Sequence, residues 1–400
     1  MLQVHRAAGT IVTMKQRIQG VDALRGLVMI LMVLDHVRAF FGPTPFYAGD
    51  AMVAPASWFF VRWVTHFCAP VFVLLAGTSA WFKGRSTEPN ELSAWLLKRG
   101  LWLILLEMLV VTPLFLGSMW NTGWIIIGFQ VIWVIGVGFL VLAMTSRWPR
   151  TLVFVASLIM VLGHNLLDSY KPGDPESQHM LWDFLHGKEA FYGLGELKIG
   201  ESPVLIMVIY PLIPWIAVVS FGWVFGSWLQ VDAKVRQTRT LIAGIVMCVS
   251  FVLLRWLAVY GDPQPWDSAA PILTFIQCEK YPPSLLYLLM TLGPAAILFS
   301  IFDRMSGRVL SILKVYGCVP LFFYLAHMVV INIGAIILAL INGDPVGWWY
   351  DPTRLAAKGY EPSIALTLFV WVIAVMILYL PCKKWAQLKR DHPKSLIQWL

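Results

Sequence analysis

One apolar stretch, Arg17–Phe41 (RIQGVDALRGLVMILMVLDHVRAFF), carries Asp22, Arg25, Asp35, His36 and Arg38. It is long enough to cross a bilayer, and ionisable groups in hydrocarbon are costly, so it is no plain anchor. At about 100° per residue, Asp22, Arg25, Met29, Met32 and His36 share roughly 80° of one helix face. Arg25 and His36, eleven residues apart, nearly eclipse one another with about 16 Å between them. A polar track that ends at an imidazole suits proton transfer near neutral pH. The alternative is a buried helix whose charges are held in structural ion pairs. Asp35 and Arg38, at i and i+3, can pair with each other.

Other stretches add candidates. Arg62 and His66 lie one turn apart on one face and precede Pro70, with His66 placed at a depth similar to His36. Glu107, in LLEMLVV, must be protonated or paired inside a span, with an arginine the expected partner. Tyr324 and His327, in VPLFFYLAHM, also face inward. Lys98 and Arg99 (LLKRG) sit close to where Asp22 and Arg25 emerge, and such a basic cluster suits a phosphate-bearing ligand. Each has a structural alternative, from a packed histidine to ordinary interfacial charge. His164, His179 and His186 fall near or in loops, where histidine is unremarkable.

The elements that must hold these residues follow from composition. The chain is 58% hydrophobic and 13% charged, about half the charge of a soluble protein, and its 20 Trp suit interfacial belts. It reads as an all-α transmembrane bundle of about ten spans: 18–41, 57–82, 94–116, 122–144, 149–167, 203–229, 240–260, 283–303, 309–340 and 363–381. The ninth is long, and Gly317 and Pro320 should break or kink it. Pro211 and Pro214 in YPLIPW imply a kinked helix, and Gly222 and Gly226 a close helix contact. With the N-terminus in the cytoplasm, twenty of the 30 Lys and Arg fall on the inner side and six in outer loops, an asymmetry that supports both termini inside. The +8 net charge is then a topology signal and not a sign of nucleic-acid binding. No secretory signal is expected, and Met1–Thr13 reads as dispensable. The five scattered cysteines indicate neither disulfides nor zinc, so no metal is expected. Trp182, Trp266, Trp348, Trp349 and Tyr350, in outer loops, suit interfacial anchoring or a sugar-like acceptor. Soluble hydrolase and nucleotide signatures are missing.

RIQGVDALRGLVMILMVLDHVRAFF, RWVTHFCAPVFVLLAGTSAWF, LLKRGLWLILLE and YPLIPW together resemble the bacterial branch of the heparan-α-glucosaminide N-acetyltransferase-like family. The likeness extends to KYPPSLLYLLMTLGPA and VPLFFYLAHM. More distantly, Arg25 and His36 match the Arg-x10-His pattern of bacterial membrane O-acyltransferases. The resemblance implies an enzyme that takes acyl-CoA, most simply acetyl-CoA, from the cytoplasm and acylates a hydroxyl or amine of a glycan-like acceptor across the membrane. Animal lysosomal members carry Asn at the place of His36 and a functional His in the following loop. Here that loop, GPTPFYAGDAMVAPAS, has none, so the base must be argued from this chain.

The resulting expectation is a bacterial inner-membrane acyltransferase with residues 1–17 as a cytoplasmic tail, 18–381 as the transmembrane domain and 382–400 as a basic tail. His36 and His66 are the catalytic candidates. Asp22, Arg25, Lys98 and Arg99 would hold the CoA. Arg62, Glu107, Tyr324 and His327 would line the acceptor site. An acyl-histidine intermediate and an oligomer stay open. A proton-coupled transporter would need similar intramembrane charges, and a b-type haem protein could ligate through His36 and His66.

Overall fold

Helix α1 (Gln19–Phe41) is the axis of the structure, a computed structural model that describes residues 18–42, 44, 46–116, 125–170, 179–188, 190–267, 270–343, 362–393 and 395–400. The 1–17 tail, with its basic residues, and the loop aromatics Trp348, Trp349 and Tyr350 lie outside the described residues. Around α1 pack α2 (Ala56–Thr65), α3 (Cys68–Gly84), α12 (Leu285–Arg304), α13 (Arg308–Gly317), α14 (Pro320–Asn342) and α15 (Ile364–Asp391). A second layer holds α4 (Pro89–Leu106), α6 (Val131–Thr145), α7 (Arg150–Gly163), α9 (Trp215–Trp228) and α10 (Ala233–Leu257), and α5 (Thr112–Leu116), α8 (Met180–Leu185) and α11 (Pro271–Ile276) are short connecting helices. Among the described residues, six helices are long and apolar enough to cross a membrane. The chain is a helical membrane protein.

The tightest helix pairs meet through glycines. A Cβ on Gly26 of α1 would come within 1.9 Å of the Leu313 carbonyl, and one on Gly317 within 1.8 Å of the Asp22 carbonyl. Gly77 and Gly222 do the same for α3 and α9, each at 1.9 Å from a carbonyl across the contact. Lipid gives apolar side chains little reason to leave it, so close backbone approach at small residues is what joins helices there. Gly226 completes the expected contact, with its Cβ position 2.7 Å from that of Trp81.

The helices break where prolines fall. Pro70 has no N–H to offer the His66 carbonyl four residues back, and α2 and α3 part at His66–Phe67. The Tyr287 hydroxyl donates to that carbonyl instead, at 2.8 Å. The long ninth span is two helices, α13 ending at Gly317 and α14 starting at Pro320.

Two corrections concern strands. The protein is not all-α: β1 (Ile125–Phe129), β2 (Ala190–Ile199) and β3 (Ser202–Val208) form a three-stranded sheet in the order β1-β3-β2. β1 runs parallel to β3, with Phe129 opposite Val208, and β2 antiparallel to it, with Ala190 opposite Val208. The stretches read as the starts of spans 122–144 and 203–229 are therefore strands, and the helices behind them, α6 and α9, are short. IIIGF and SPVLIMV are rich in β-branched residues, which suit a pleated surface as well as a membrane helix. YPLIPW is likewise no kink within a helix; it is the connection from β3 to the first turn of α9. At its other end the chain continues as helix through Pro381 to Asp391, and Ser395–Leu400 folds back onto the bundle.

Candidate active site

The C-terminal half of α1 delivers Met32, Asp35, His36 and Arg38 to a cavity of about 540 Å³. One end of the sheet closes it. Gln130 follows β1, Lys188 precedes β2, and Ile209 and Tyr210 follow β3; all four line the cavity. The Ile209 and Tyr210 amides both donate to the Phe129 carbonyl, at 3.2 and 3.1 Å, which fixes these strand ends together.

His36 is paired with His327. Its Nδ1 lies 2.6 Å from His327 Nε2, and the two rings stack at 4.9 Å between centroids. His327 is fully buried on α14, and its Nδ1 is 3.1 Å from the Phe323 carbonyl. A carbonyl only accepts, so His327 Nδ1 bears the hydrogen. The Nε2 of that neutral ring is then an acceptor, and His36 Nδ1 must donate to it. The His36 Nε2 lone pair is left for another proton. Phe115 and Tyr324 stand edge-on to His36, at 5.1 and 6.3 Å between ring centroids.

The neighbouring charges are tied to one another. Arg62 Nη1 donates to both Asp35 oxygens, at 2.8 and 2.6 Å, and Arg38 reaches Asp35 Oδ1 at 3.1 Å. The i, i+3 pair read from the sequence is present, and Arg62 joins it. Lys188 and Lys280 add positive charge to the wall, against Glu279. Burial pushes the Glu279 carboxyl above its usual range, although the Tyr281 amide, Lys188 and the Lys280 amide act the other way.

His66 does not share this space. It is buried at the α2–α3 break with its ring edge-on to Tyr287, and it is not among the cavity-lining residues. His66, expected at a depth similar to His36 and beside the acceptor, is thus outside the cavity, and the imidazole next to His36 is His327, from the other end of the chain. Glu107 has no arginine partner among the described residues. It sits in a π-helical turn (Glu107–Val111), fully buried, and its Oε2 accepts from the amides of Ile132 and Trp133 at 2.9 and 3.2 Å. An acceptor oxygen at the start of α6 satisfies free helix donors, so Glu107 needs no arginine.

Two further cavities continue the first. One of about 260 Å³ shares Phe72, Val131 and Tyr324 with it and is also lined by Arg25, Arg99 and Trp399. The next, of about 580 Å³, shares Arg25 and Ser79 with the second and opens among Asp22, Arg85 and Arg236. Arg25 is a fixed post at their junction. It donates to Ser79 Oγ at 2.7 Å and the Gly317 carbonyl at 3.2 Å, and lies 3.5 Å from Asp22. Arg99 donates to the Trp399 carbonyl at 2.5 Å and packs on its ring. Lys98 is exposed and lines none of the three. Arg85 belongs to the basic cluster read from the sequence beside Lys98 and Arg99, whereas Arg236, Lys188, Lys280 and Trp399 were not singled out, because no spacing signal ties them to α1.

The catalytic-domain model of heparan-alpha-glucosaminide N-acetyltransferase matches residues 17–262. That span holds His36, Arg62, His66 and Glu107, while Tyr324 and His327 lie beyond it. No curated protein matches the chain.

Proposed function

Because the chain belongs to the heparan-alpha-glucosaminide N-acetyltransferase catalytic family, and so carries a membrane acetyltransferase-type function, we propose that it moves an acyl group, most simply acetyl, from cytosolic acyl-CoA to a glycan-like acceptor on the other side of the membrane. The observation that carries this reading is the hydrogen-bonded His36–His327 pair at the far end, counted from the Arg85–Arg236 mouth, of three cavities that share lining residues. The CoA phosphates dock at the mouth among Arg85, Arg236 and Arg25. The pantetheine arm threads past Ser79 and Arg99 toward Tyr324, over a path comparable to the roughly 16 Å from Arg25 to His36. The acceptor occupies the His36 cavity beneath the sheet.

His36 Nε2 takes the proton of the acceptor hydroxyl or amine as that group attacks the thioester carbonyl. The C–S bond breaks, and the departing thiolate receives the proton back from His36. His327 holds His36 Nδ1–H, so the basic nitrogen keeps facing the acceptor. Tyr324, which lines both the first and the second cavity beside His36, offers a hydroxyl for the developing oxyanion. Arg62 fixes Asp35 beside His36, and the spare charge of Lys188 and Lys280 orients the acceptor. In this reading the protein resides in a bacterial cytoplasmic membrane with both termini inside.

The test uses the full chain in proteoliposomes, with acyl-CoA on one face and a panel of amino and hydroxyl sugars on the other. His36→Gln should retain acyl-CoA binding and lose transfer by about 10²–10⁴-fold. A well-folded His36→Gln protein that transfers at near the native rate would remove His36 from the chemistry.

A further inference from the structure

We propose that His164, Asp168 and His186 form a zinc site that staples the end of α7 to the segment entering β2, apart from the acyl-transfer cavities. His164 and Asp168 lie at and just past the 3₁₀ turn His164–Leu167 that ends α7, and His186 follows α8 (Met180–Leu185). One ligand atom from each lies within 4.8 Å of the others.

Two observations point to a cation. His164 is 2% exposed, and neither ring nitrogen has a hydrogen-bond partner among the described residues. A buried polar group left so costs about 1–3 kcal/mol, and a metal bond removes that cost. The second is what stands beside that ring. His186 Nε2 lies 3.1 Å from Asp168 Oδ1, so an imidazole and a carboxylate converge on the unpartnered His164. A hydrogen bond between His186 and Asp168 satisfies those two groups but leaves His164 without a partner; a metal ion would serve all three.

The surroundings suit ligation. Asn165 Nδ2 donates to Asp168 Oδ2 at 2.8 Å, leaving Oδ1 for the ion, and its own amide oxygen is anchored by the Leu285 N–H at 2.9 Å. The Ile213 carbonyl lies 3.4 Å from His186 Nδ1, on the side where outer partners of metal-bound histidines stand. Tetrahedral zinc with bonds of about 2.0–2.1 Å places its ligand atoms about 3.3 Å apart, close to the His186–Asp168 separation. Two imidazoles and a carboxylate suit zinc, with water in the fourth position. Lys188 is two residues beyond His186 and lines the His36 cavity, so the ion would hold that wall in place.

The experiment uses untagged full-length protein in detergent, stripped with EDTA and re-equilibrated with Zn²⁺. Stoichiometric zinc by elemental mass spectrometry and a rise in Tm are expected. His164→Gln should bind zinc more weakly by over the roughly 10–100-fold that loss of an outer partner costs. Co²⁺ added to the stripped wild-type protein should give ligand-field bands in the visible, which decides the matter if the variant fails to fold. Zinc far below stoichiometry in the wild-type protein, no Co²⁺ bands, or unchanged affinity in folded His164→Gln would each overturn the site and leave a His186–Asp168 ion pair only.

Discussion

His36 Nδ1 and His327 Nε2, contributed by helices 291 residues apart in sequence, stand 2.6 Å from each other. The Phe323 carbonyl behind His327 gives this pair a direction, since it forces the hydrogen bond to run from His36 to His327.

His327→Leu removes the acceptor that holds His36 Nδ1–H. The expected result is a fall in kcat of about 10²-fold or more, with KM for acyl-CoA unchanged. His327→Gln, whose amide oxygen can still accept, should recover part of the loss. Equal kcat in the Leu variant and the wild type, from steady-state kinetics, would make His327 a packing residue.

Asp35→Asn should destabilise the fold more than it alters substrate binding. The Arg62 side chain is 7% exposed, and neutralising its partner strands a buried charge at a cost of about 3–5 kcal/mol. Asp35→Asn combined with Arg62→Met should regain much of this, because the pair is then removed together. Thermal unfolding in detergent reads both; a Tm for Asp35→Asn equal to the wild type contradicts the argument.

Arg99 and Lys98, neighbours in sequence, should behave differently. Arg99 lines the middle cavity, so Arg99→Gln should weaken acyl-CoA binding by about 1–3 kcal/mol. Lys98→Gln, on an exposed side chain, should leave it nearly unchanged. Isothermal titration with a non-hydrolysable acyl-CoA analogue separates the two, and equal losses would count against the threaded path.

The orientation expected from the charge asymmetry can be measured. With the five native cysteines replaced, a cysteine at Glu201, in the β2–β3 turn, should react with a membrane-impermeant maleimide added outside cells. One at Lys234, at the start of α10, should react only after permeabilisation. The reverse pattern would put the mouth among Arg25, Arg85 and Arg236 on the wrong side for cytosolic CoA.

By itself the sequence determined that this is a helical membrane protein, that α1 carries a polar stripe, that Asp35 pairs with Arg38 and that the chain breaks between Gly317 and Pro320. Those properties are local: hydropathy, helical periodicity, i, i+3 spacing and proline's missing N–H act within a few turns of chain. Only the tertiary structure decided that His36 meets His327 and not His66, that Glu107 caps α6, that Arg99 lies under Trp399, and that His164, Asp168 and His186 converge. These contacts join distant segments through packing, and no periodicity encodes them. The sheet was missed for a different reason. IIIGF and SPVLIMV are apolar enough for a span, and whether such a run becomes helix or strand depends on whether a partner strand stands beside it to take its backbone hydrogen bonds.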